Sequence, residues 1–227
     1  MNKNLIFCSA SFHLQTCIND SRETEYLFCL KQLLRFIPDN FEIVVCDNTI
    51  SQISDINNNE LKELLNNKTK FLILNRNIGN TNIGMGELDE LIFVSENIDF
   101  KDYDKIVYFT LRKLVTNPWL FEKVNSMEKE AIISNPPIIF LYNNYTFKYS
   151  SPTNNLYNDM FFALKSDLMI NYVKFSKDNI ELCLKNNIGS EQNLFHFITK
   201  NNIIYEKLDC LGLIRIDYKL NNCIQIV

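Results

Sequence analysis

The chain has 227 residues, of which 46% are hydrophobic and 22% are charged, and its formal net charge at pH 7 is −4. This composition predicts a globular protein of ordinary domain size and excludes a largely disordered chain. The acidic balance argues against a nucleic-acid-binding surface, and no apolar run approaches the roughly 18 residues that a transmembrane helix requires.

Cysteine and histidine usage favours a reducing, cytoplasmic setting. The seven cysteines are scattered without a Cys-x-x-Cys pair, and the first residues lead directly into a strand-like run with no signal-peptide cleavage site. Because His13 and His196 are the only two histidines, a zinc site of ordinary ligand spacing is hard to assemble.

Strand-like and helix-like segments alternate along the first half of the chain. The hydrophobic patterns predict the strands Leu5–Ser9, Phe41–Cys46, Phe71–Leu74 and Ile106–Phe109. They predict helices over Arg22–Phe36, over Glu60–Leu65 and onward from Leu88. This order favours one α/β domain over residues 1–227, with a mostly parallel central sheet flanked by helices.

Small polar and aromatic residues follow the first three predicted strands. They are Ser9, Ser11 and Phe12 after the first, Asp47 and Asn48 after the second, and Asn75 and Asn77 after the third. In open α/β sheets a ligand lies just beyond the carboxyl ends of the strands. An acid placed like Asp47 suits hydrogen bonds from a ribose or a base, and its alternative role is to cap a turn.

A glycine-rich segment connects the third strand to the next helix. It holds Gly79, Gly84 and Gly86, three of the five glycines in the chain, with Asn82 before the helix. Glycine permits close backbone approach, and a helix N-terminus is a natural anion site, although the same glycines could serve chain reversal alone. Their spacing matches neither the dinucleotide-binding nor the P-loop pattern.

The fourth strand ends in a hydroxyl and two cations, Thr110, Arg112 and Lys113. A cationic pair at that edge suits a phosphorylated ligand, whereas an isolated Arg-Lys pair is more often a solvated loop feature. Asn117-Pro118 then predicts a helix start, with a capping side chain and proline at the first helical position.

Shorter segments make up the second half of the chain. We predict strands over Ala131–Ser134 and Ile138–Tyr142, a loop over Asn143–Tyr157 and a strand over Asn158–Leu164. A helix over Asp178–Leu184 with an Asp cap and a helix capped by Ser190 come next. The segments Ile203–Leu208 and Leu211–Ile216 are strands or a closing tail.

The order of these segments resembles that of GT-A-type, nucleotide-sugar-dependent glycosyltransferases. The matching pieces are the strand that ends near Ser11, the strand that ends in Asp47, the Asn-x-Gly segments around Gly79 and Gly84, and the strand that ends in Thr110. The resemblance covers the first half well and the second half loosely. It implies a donor half at residues 1–127 that binds a nucleoside diphosphate sugar, and an acceptor half at residues 128–227 for a glycan or other hydroxyl.

One departure from the family pattern changes the expected chemistry. Metal-dependent members carry Asp-x-Asp after the central strand, where this chain has Thr110-Leu-Arg112-Lys113. The resemblance therefore implies a metal-independent variant without a cofactor, in which Arg112 and Lys113 neutralise the leaving diphosphate and Thr110 donates a hydrogen bond. The alternative is that activity was lost together with the metal motif.

The catalytic base has two candidates, Glu191 and Asp159. Many inverting members of the family place an acidic pair at the start of a helix like the one near Ser190, and here only Glu191 of that pair is acidic. The helix dipole alone would also favour an acid at Glu191. Asp159 enters a strand that in the family lines the sugar and the acceptor.

Three other functions remain open at this level. A sugar nucleotidyltransferase would carry a longer Gly-rich loop near the N-terminus, and a Rossmann-type methyltransferase would carry glycines after the first strand. An inactive nucleotide- or glycan-binding module would bind donor without turnover. The sequence fixes neither the donor sugar, the base, the acceptor, the stereochemical outcome nor the oligomeric state.

Overall fold

A computed structural model of the protein describes residues 3–13, 19–134, 138–142, 145–149, 160–217 and 223–226. Within these ranges, 19–21, 83, 138–142, 145–149, 215–217 and 223–226 are described by their backbone alone.

Strands and helices alternate through the first half of the described chain, as predicted. The strands are β1 (Asn4–Ala10), β2 (Phe41–Asp47), β3 (Lys70–Ile73), β4 (Lys105–Thr110), β5 (Leu114–Val115), β6 (Ala131–Ser134), β7 (Ile138–Tyr142), β8 (Tyr145–Tyr149), β9 (Phe161–Lys165), β10 (Tyr205–Leu208), β11 (Leu213–Asp217) and β12 (Cys223–Ile226). The helices are α1 (Asn19–Phe36), α2 (Asn59–Lys68), α3 (Ile83–Asn97), α4 (Trp119–Asn125), α5 (Ser166–Lys185) and α6 (Ser190–Lys200).

The central sheet has seven strands in the order β10-β6-β9-β4-β1-β2-β3. The pairs β1–β2, β1–β4, β2–β3 and β6–β10 are parallel, while β9 runs antiparallel to both of its neighbours, β4 and β6. The predicted α/β fold with a mostly parallel central sheet is therefore confirmed.

Two hydrophobic layers cover this sheet, one on each face. Successive residues of β1 alternate between them, with Ile6 and Cys8 in one layer and Leu5 and Phe7 in the other. Helices α1, α2 and α4 pack on the first face, and α3, α5 and α6 pack on the second. The interior of a strand that is buried on both faces is apolar, which is why Leu5–Cys8 of β1 and Ile106–Phe109 of β4 are continuous apolar runs in the sequence.

A second, antiparallel sheet has the order β5-β11-β12-β7-β8. The loop predicted over Asn143–Tyr157 is wrong at Tyr145–Tyr149, because this segment is β8, paired with β7 as a hairpin. Aromatic residues at every second position, here Tyr145, Phe147 and Tyr149, are typical of a strand.

The predicted helix start at Asp178 is also wrong. Helix α5 begins at Ser166, directly after β9, and Asp178 lies in its interior. The buried positions Met169, Tyr172, Val173 and Ser176 already follow helical spacing in the first half of α5, so packing on the sheet extends the helix well before the Asp cap.

Two predicted helix starts are displaced by one residue. Pro118 is the N-cap of α4, and Asn117 accepts a hydrogen bond from Trp119 N at 3.0 Å. Gly189, and not Ser190, is the N-cap of α6. Over the described ranges, no helix combines the length and the hydropathy needed to cross a membrane.

Candidate functional site

The carboxyl ends of the parallel strands bring several predicted site residues together. In the register of the sheet, Ser9 of β1 lies opposite Thr110 of β4 and opposite Cys46 of β2, and Ala10 lies opposite Asp47. Leu111 N donates to Ser9 O at 3.3 Å, which ties the turn after β4 to the end of β1. Ser9, Asp47 and Thr110 therefore occupy one edge of the sheet, as the strand pattern predicts.

Asp47 is fully buried and binds the backbone of its own protein. Its Oδ2 accepts from Phe12 N at 2.6 Å, and its Oδ1 accepts from Thr49 N at 2.6 Å, Thr49 Oγ1 at 2.8 Å and Ile50 N at 2.9 Å. Burial raises the pKa of Asp47, and these hydrogen bonds oppose the rise. Its carboxylate joins the loops after β1 and β2, so a nucleotide contact through this side chain stays a prediction.

A second buried acid, Glu90 of α3, lies beside this edge. Ser9 Oγ donates to Glu90 Oε2 at 2.5 Å, while Glu90 Oε1 is buried and has no hydrogen-bond partner among the residues that the structure describes. Burial raises the pKa of Glu90 well above its ordinary value, and the charges of Asp47, Glu87 and Asp89 raise it further. Sequence reasoning missed Glu90; the available signal was an acid between Leu88 and Leu91 on the apolar side of a helix.

The glycine-rich segment makes the predicted close backbone approach, but the partner in this approach is another part of the protein's own backbone. A Cβ at Gly86 would lie 2.8 Å from the Cα of Gly79 and 3.2 Å from Asn48 Nδ2. The turn Ile78–Asn80 therefore packs directly on the first turn of α3, and Asn48 Nδ2 donates to Gly86 O at 3.4 Å. Asn77 is half-buried in this turn, and Asn75 is exposed at its start.

The N-terminus of α3 meets the N-terminus of α6. A Cβ at Gly84 would lie 2.9 Å from both the backbone N and Oγ of Ser190. Asn82 accepts from Met85 N at 3.4 Å, as an N-cap does, and donates from Nδ2 to Ile188 O at 3.2 Å. The candidate base Glu191 follows Ser190 and folds back over Gly189, where a Cβ would lie 2.7 Å from Glu191 Oε2.

Arg112 and Arg22 act together on the same buried tyrosine. Arg22, which sequence reasoning missed, is 8% exposed, donates from Nε to Ser11 O and lies 5.6 Å from the ring centre of Tyr26. Burial raises the pKa of Tyr26 to about 12, and the charges of Arg22 and Arg112 oppose the rise. Tyr26 OH accepts from Ser11 N at 2.8 Å, so both guanidinium groups lie near the carboxyl end of β1.

Lys113 occupies a different environment from Arg112. It is only 2% exposed, whereas Arg112 is half-buried. Burial raises the pKa of Cys29 on α1 to about 12; the charge of Glu25 raises it further, and Lys113 and Arg112 oppose the rise. The ammonium group of Lys113 is thus enclosed near α1, so its charge acts on the edge of the sheet from within the protein.

The second candidate base, Asp159, lies outside the described residues. Its neighbour Met160 accepts through its carbonyl from Thr110 N at 3.0 Å. His196 is exposed on α6.

A divalent metal does not fit the turn after β4. Thr110-Leu-Arg112-Lys113 offers one hydroxyl and two cations, whereas Mg²⁺ and Mn²⁺ need carboxylate or other oxygen ligands. Among the residues that the structure describes, no group of three or more His, Cys, Asp or Glu side chains is placed to hold a metal. Metal independence itself stays a prediction.

Comparison with known proteins gives a likeness in structure only. No model of a known protein family matches the sequence, and no curated protein matches it. The structure is similar to the crystal structure of a protein from Desulfovibrio desulfuricans G20, itself an inferred nucleotide-diphospho-sugar transferase, with a TM-score of 0.55 and 10% identity over 92% of this chain and 80% of that one. At this identity the likeness shows the fold: a single Rossmann-like α/β domain with a mostly parallel central sheet.

Proposed function

We propose that the protein is a glycosyltransferase that moves a sugar from a nucleoside diphosphate sugar to a hydroxyl of a glycan or other acceptor. The observation that carries this proposal is the pair Arg22 and Arg112 beside the adjacent ends of β1 and β4. The fold shared with the inferred nucleotide-diphospho-sugar transferase supports the same class of donor.

The arginines suit the charge that develops in such a transfer. As the bond between the sugar and the diphosphate breaks, its electron pair remains on the departing phosphate oxygen. A guanidinium group matches two such oxygens at once and keeps its charge at any working pH. In the proposed reaction Arg112 binds the diphosphate with Arg22 behind it, Thr110 donates a hydrogen bond and the buried Lys113 adds fixed positive charge.

The acceptor needs a base that removes the proton from its hydroxyl. Glu191 is the candidate in the described part of the chain, because it starts a helix whose N-terminus adjoins α3. In the proposed step its carboxylate takes the proton, the acceptor oxygen bonds to the anomeric carbon, and the nucleoside diphosphate leaves. Asp159 is the other candidate.

Ligand-dependent thermal stability tests the proposal. UDP, GDP, CDP, ADP and dTDP are added to the wild type with EDTA, and the melting temperature is followed. A diphosphate present at 100 times its dissociation constant should stabilise the fold by about 2.7 kcal/mol. The shift should be lost in Arg112→Ala and kept in Arg35→Ala, which removes an exposed arginine from the last turn of α1.

A transfer assay follows with the sugar nucleotides of the base that binds. Release of nucleoside diphosphate in the presence of EDTA is the expected result. If no nucleotide changes the melting temperature of the wild type, or if Arg35→Ala loses the shift as fully as Arg112→Ala does, the proposed donor site is wrong.

A further inference from the structure

The loop after β1 carries a histidine whose ring is held by a buried acid. His13 Nε2 lies 2.8 Å from Oε1 of Glu23, a residue of α1 that is fully buried. Glu23 also accepts from Asn57 N at 2.9 and 3.0 Å and from Asn58 N at 2.7 Å. One carboxylate therefore fixes the loop after β1, the start of α1 and the loop before α2.

The bonding of Glu23 decides which ring nitrogen carries the proton. A carboxylate oxygen can only accept, and the other described hydrogen bonds to Glu23 come from backbone N–H donors, so Nε2 is the donor of the His13 ring. In a neutral ring the other nitrogen, Nδ1, is then an acceptor. Within the described part of the chain, Nδ1 has no hydrogen-bond partner, and the His13 side chain is 22% exposed.

The ring lies at the edge where the donor site is proposed. His13 N donates to Thr49 Oγ1 at 2.9 Å, and Thr49 Oγ1 donates to Asp47 Oδ1 at 2.8 Å, so the loops after β1 and β2 hold His13 between them. Ser11 and Phe12, which immediately precede it, belong to the predicted nucleotide-binding set. The ring of His13 thus lies beside the predicted nucleotide-binding residues, with an acceptor that no described residue occupies.

We propose that His13 binds the nucleoside of the sugar donor, accepting through Nδ1 a hydrogen bond from a ribose hydroxyl or from an N–H of the base. Glu23 is the positioning residue that sets the required tautomer. The inference rests on the proposed function, since it names a further residue of the same donor site.

The charged groups around the ring come from three elements. They are Glu23 and Arg22 from α1, Asp47 from the end of β2, and Asp55 from the turn Ile53–Asp55. A ring that carries a proton on both nitrogens has no acceptor, so nucleotide affinity should be lower wherever the ring is protonated.

The test uses the nucleoside diphosphate that stabilises the wild type best, with dissociation constants measured by calorimetry at pH 8 and pH 5.5. His13→Asn keeps an acceptor near the position of Nδ1 and should bind at pH 8 within about threefold of wild type. Glu23→Gln keeps the shape but donates from its amide to Nε2; this moves the ring proton to Nδ1 and should weaken binding roughly tenfold.

Comparison across pH removes the titration of the phosphates themselves. An affinity loss between pH 8 and pH 5.5 that is larger in the wild type than in His13→Asn reports protonation of the ring acceptor, because the asparagine oxygen stays an acceptor at both pH values. The 2′- and 3′-deoxy forms of the nucleotide identify the donor. If a ribose hydroxyl donates, its removal weakens the wild type and has no further effect on Glu23→Gln; if the base donates, Glu23→Gln weakens every form equally.

The two proposals fail in different ways. If the wild type binds a nucleoside diphosphate but all three proteins show the same affinity and the same pH dependence, the role of His13 is wrong while the donor site stands. His13→Ala is the second variant, because a Glu23→Gln protein that has lost its fold, seen as a much lower melting temperature without ligand, loses binding for that reason alone. If His13→Ala binds as the wild type does, the role of His13 is wrong while the donor site stands. If the wild type binds no nucleotide, both proposals are wrong.

Discussion

Gly84 and Ser190 lie so close that the Cβ of any other residue at position 84 would approach both the backbone N and Oγ of Ser190 to 2.9 Å. These residues belong to α3 and α6, whose N-termini they join across more than 100 residues of chain. Because one of the obstructing atoms is backbone, the clash cannot be relieved by rotating a side chain.

Gly84→Ala should therefore destabilise the fold by about 1–3 kcal/mol, the usual cost of forcing a methyl group into packed structure. Urea denaturation measures it. Gly189→Ala is the matched control, because a Cβ there meets only the Glu191 carboxylate at 2.7 Å, which can move away. The control should cost no more than about 1 kcal/mol, because alanine is a poorer N-cap than glycine. A loss in the control as large as that of Gly84→Ala would contradict the packing described at this junction.

Glu90→Gln should alter how stability depends on pH. Burial in the folded protein raises the pKa of Glu90. The protonated Glu90 therefore contributes fully to stability below the pKa of a glutamate in the unfolded chain, near 4.3, and this contribution is lost as the pH rises toward the pKa of Glu90 in the folded protein. The wild type thus loses up to about 1.4 kcal/mol per pH unit through this proton, and the glutamine variant does not.

The measurement is urea denaturation of wild type and Glu90→Gln at pH 5 and pH 8. The stability of the variant relative to wild type should increase between these pH values. Glu96→Gln, which changes an exposed residue of the same helix paired with Lys177, should show no such increase. A difference that stays constant with pH would mean that Glu90 ionises normally in the folded protein.

Lys113→Met should reduce stability more than Arg112→Ala does. Lys113 is 2% exposed, and its charge and that of the half-buried Glu25 act in opposite directions on Cys29 of α1. Removing the cation leaves this acid with less compensating charge, and we expect a loss of roughly 1–3 kcal/mol in unfolding free energy. Arg112→Ala, at a half-buried position, should lose under about 1 kcal/mol. A Lys113→Met protein as stable as wild type would refute this role.

Asp47→Asn should be far more costly than the same change at Asp55. Both carboxylate oxygens of Asp47 accept hydrogen bonds from backbone N–H groups. An asparagine replaces one of them with an NH2 group, which then faces an N–H donor in a buried site. The expected loss is about 2–4 kcal/mol. Asp55 also accepts two backbone N–H groups, from Ser51 and Gln52, but in an exposed turn, so Asp55→Asn should lose under about 1 kcal/mol. Thermal denaturation of both variants decides the matter.

The sequence predicts those features that local pattern controls. The apolar runs of β1 and β4 identify buried strands, and their polar ends meet at one edge because parallel strands place their carboxyl ends together. The α/β fold and the convergence of Ser9, Asp47 and Thr110 follow from that rule.

Features set by distant partners could not be predicted. Strand β5 has two residues and exists because β11, about 100 residues later, pairs with Val115. Helix α5 begins at Ser166 without a side-chain cap, so its start carries no local signal. The enclosure of Glu90 likewise depends on β1 and β2 lying beneath α3, and an acid in a helical pattern is normally expected to face solvent.

The glycines illustrate a limit of another kind. A glycine-rich turn predicts that some backbone approaches closely, but not which one. Here Gly79 approaches Gly86, and Gly84 approaches Ser190, so the protein supplies both partners itself.

The insertion of β9 between β4 and β6 has a consequence for how the chain folds. Strand β4 must close a loop of about 95 residues to reach β1, whereas β9 closes about 50 residues to reach β4, so the pairing of β1 with β4 carries the larger entropic cost. The antiparallel pair of β4 and β9, with the ring of Phe162 stacked on Tyr108 at 5.0 Å, should thus form before β4 joins β1, so that Phe162→Leu slows refolding more than it accelerates unfolding.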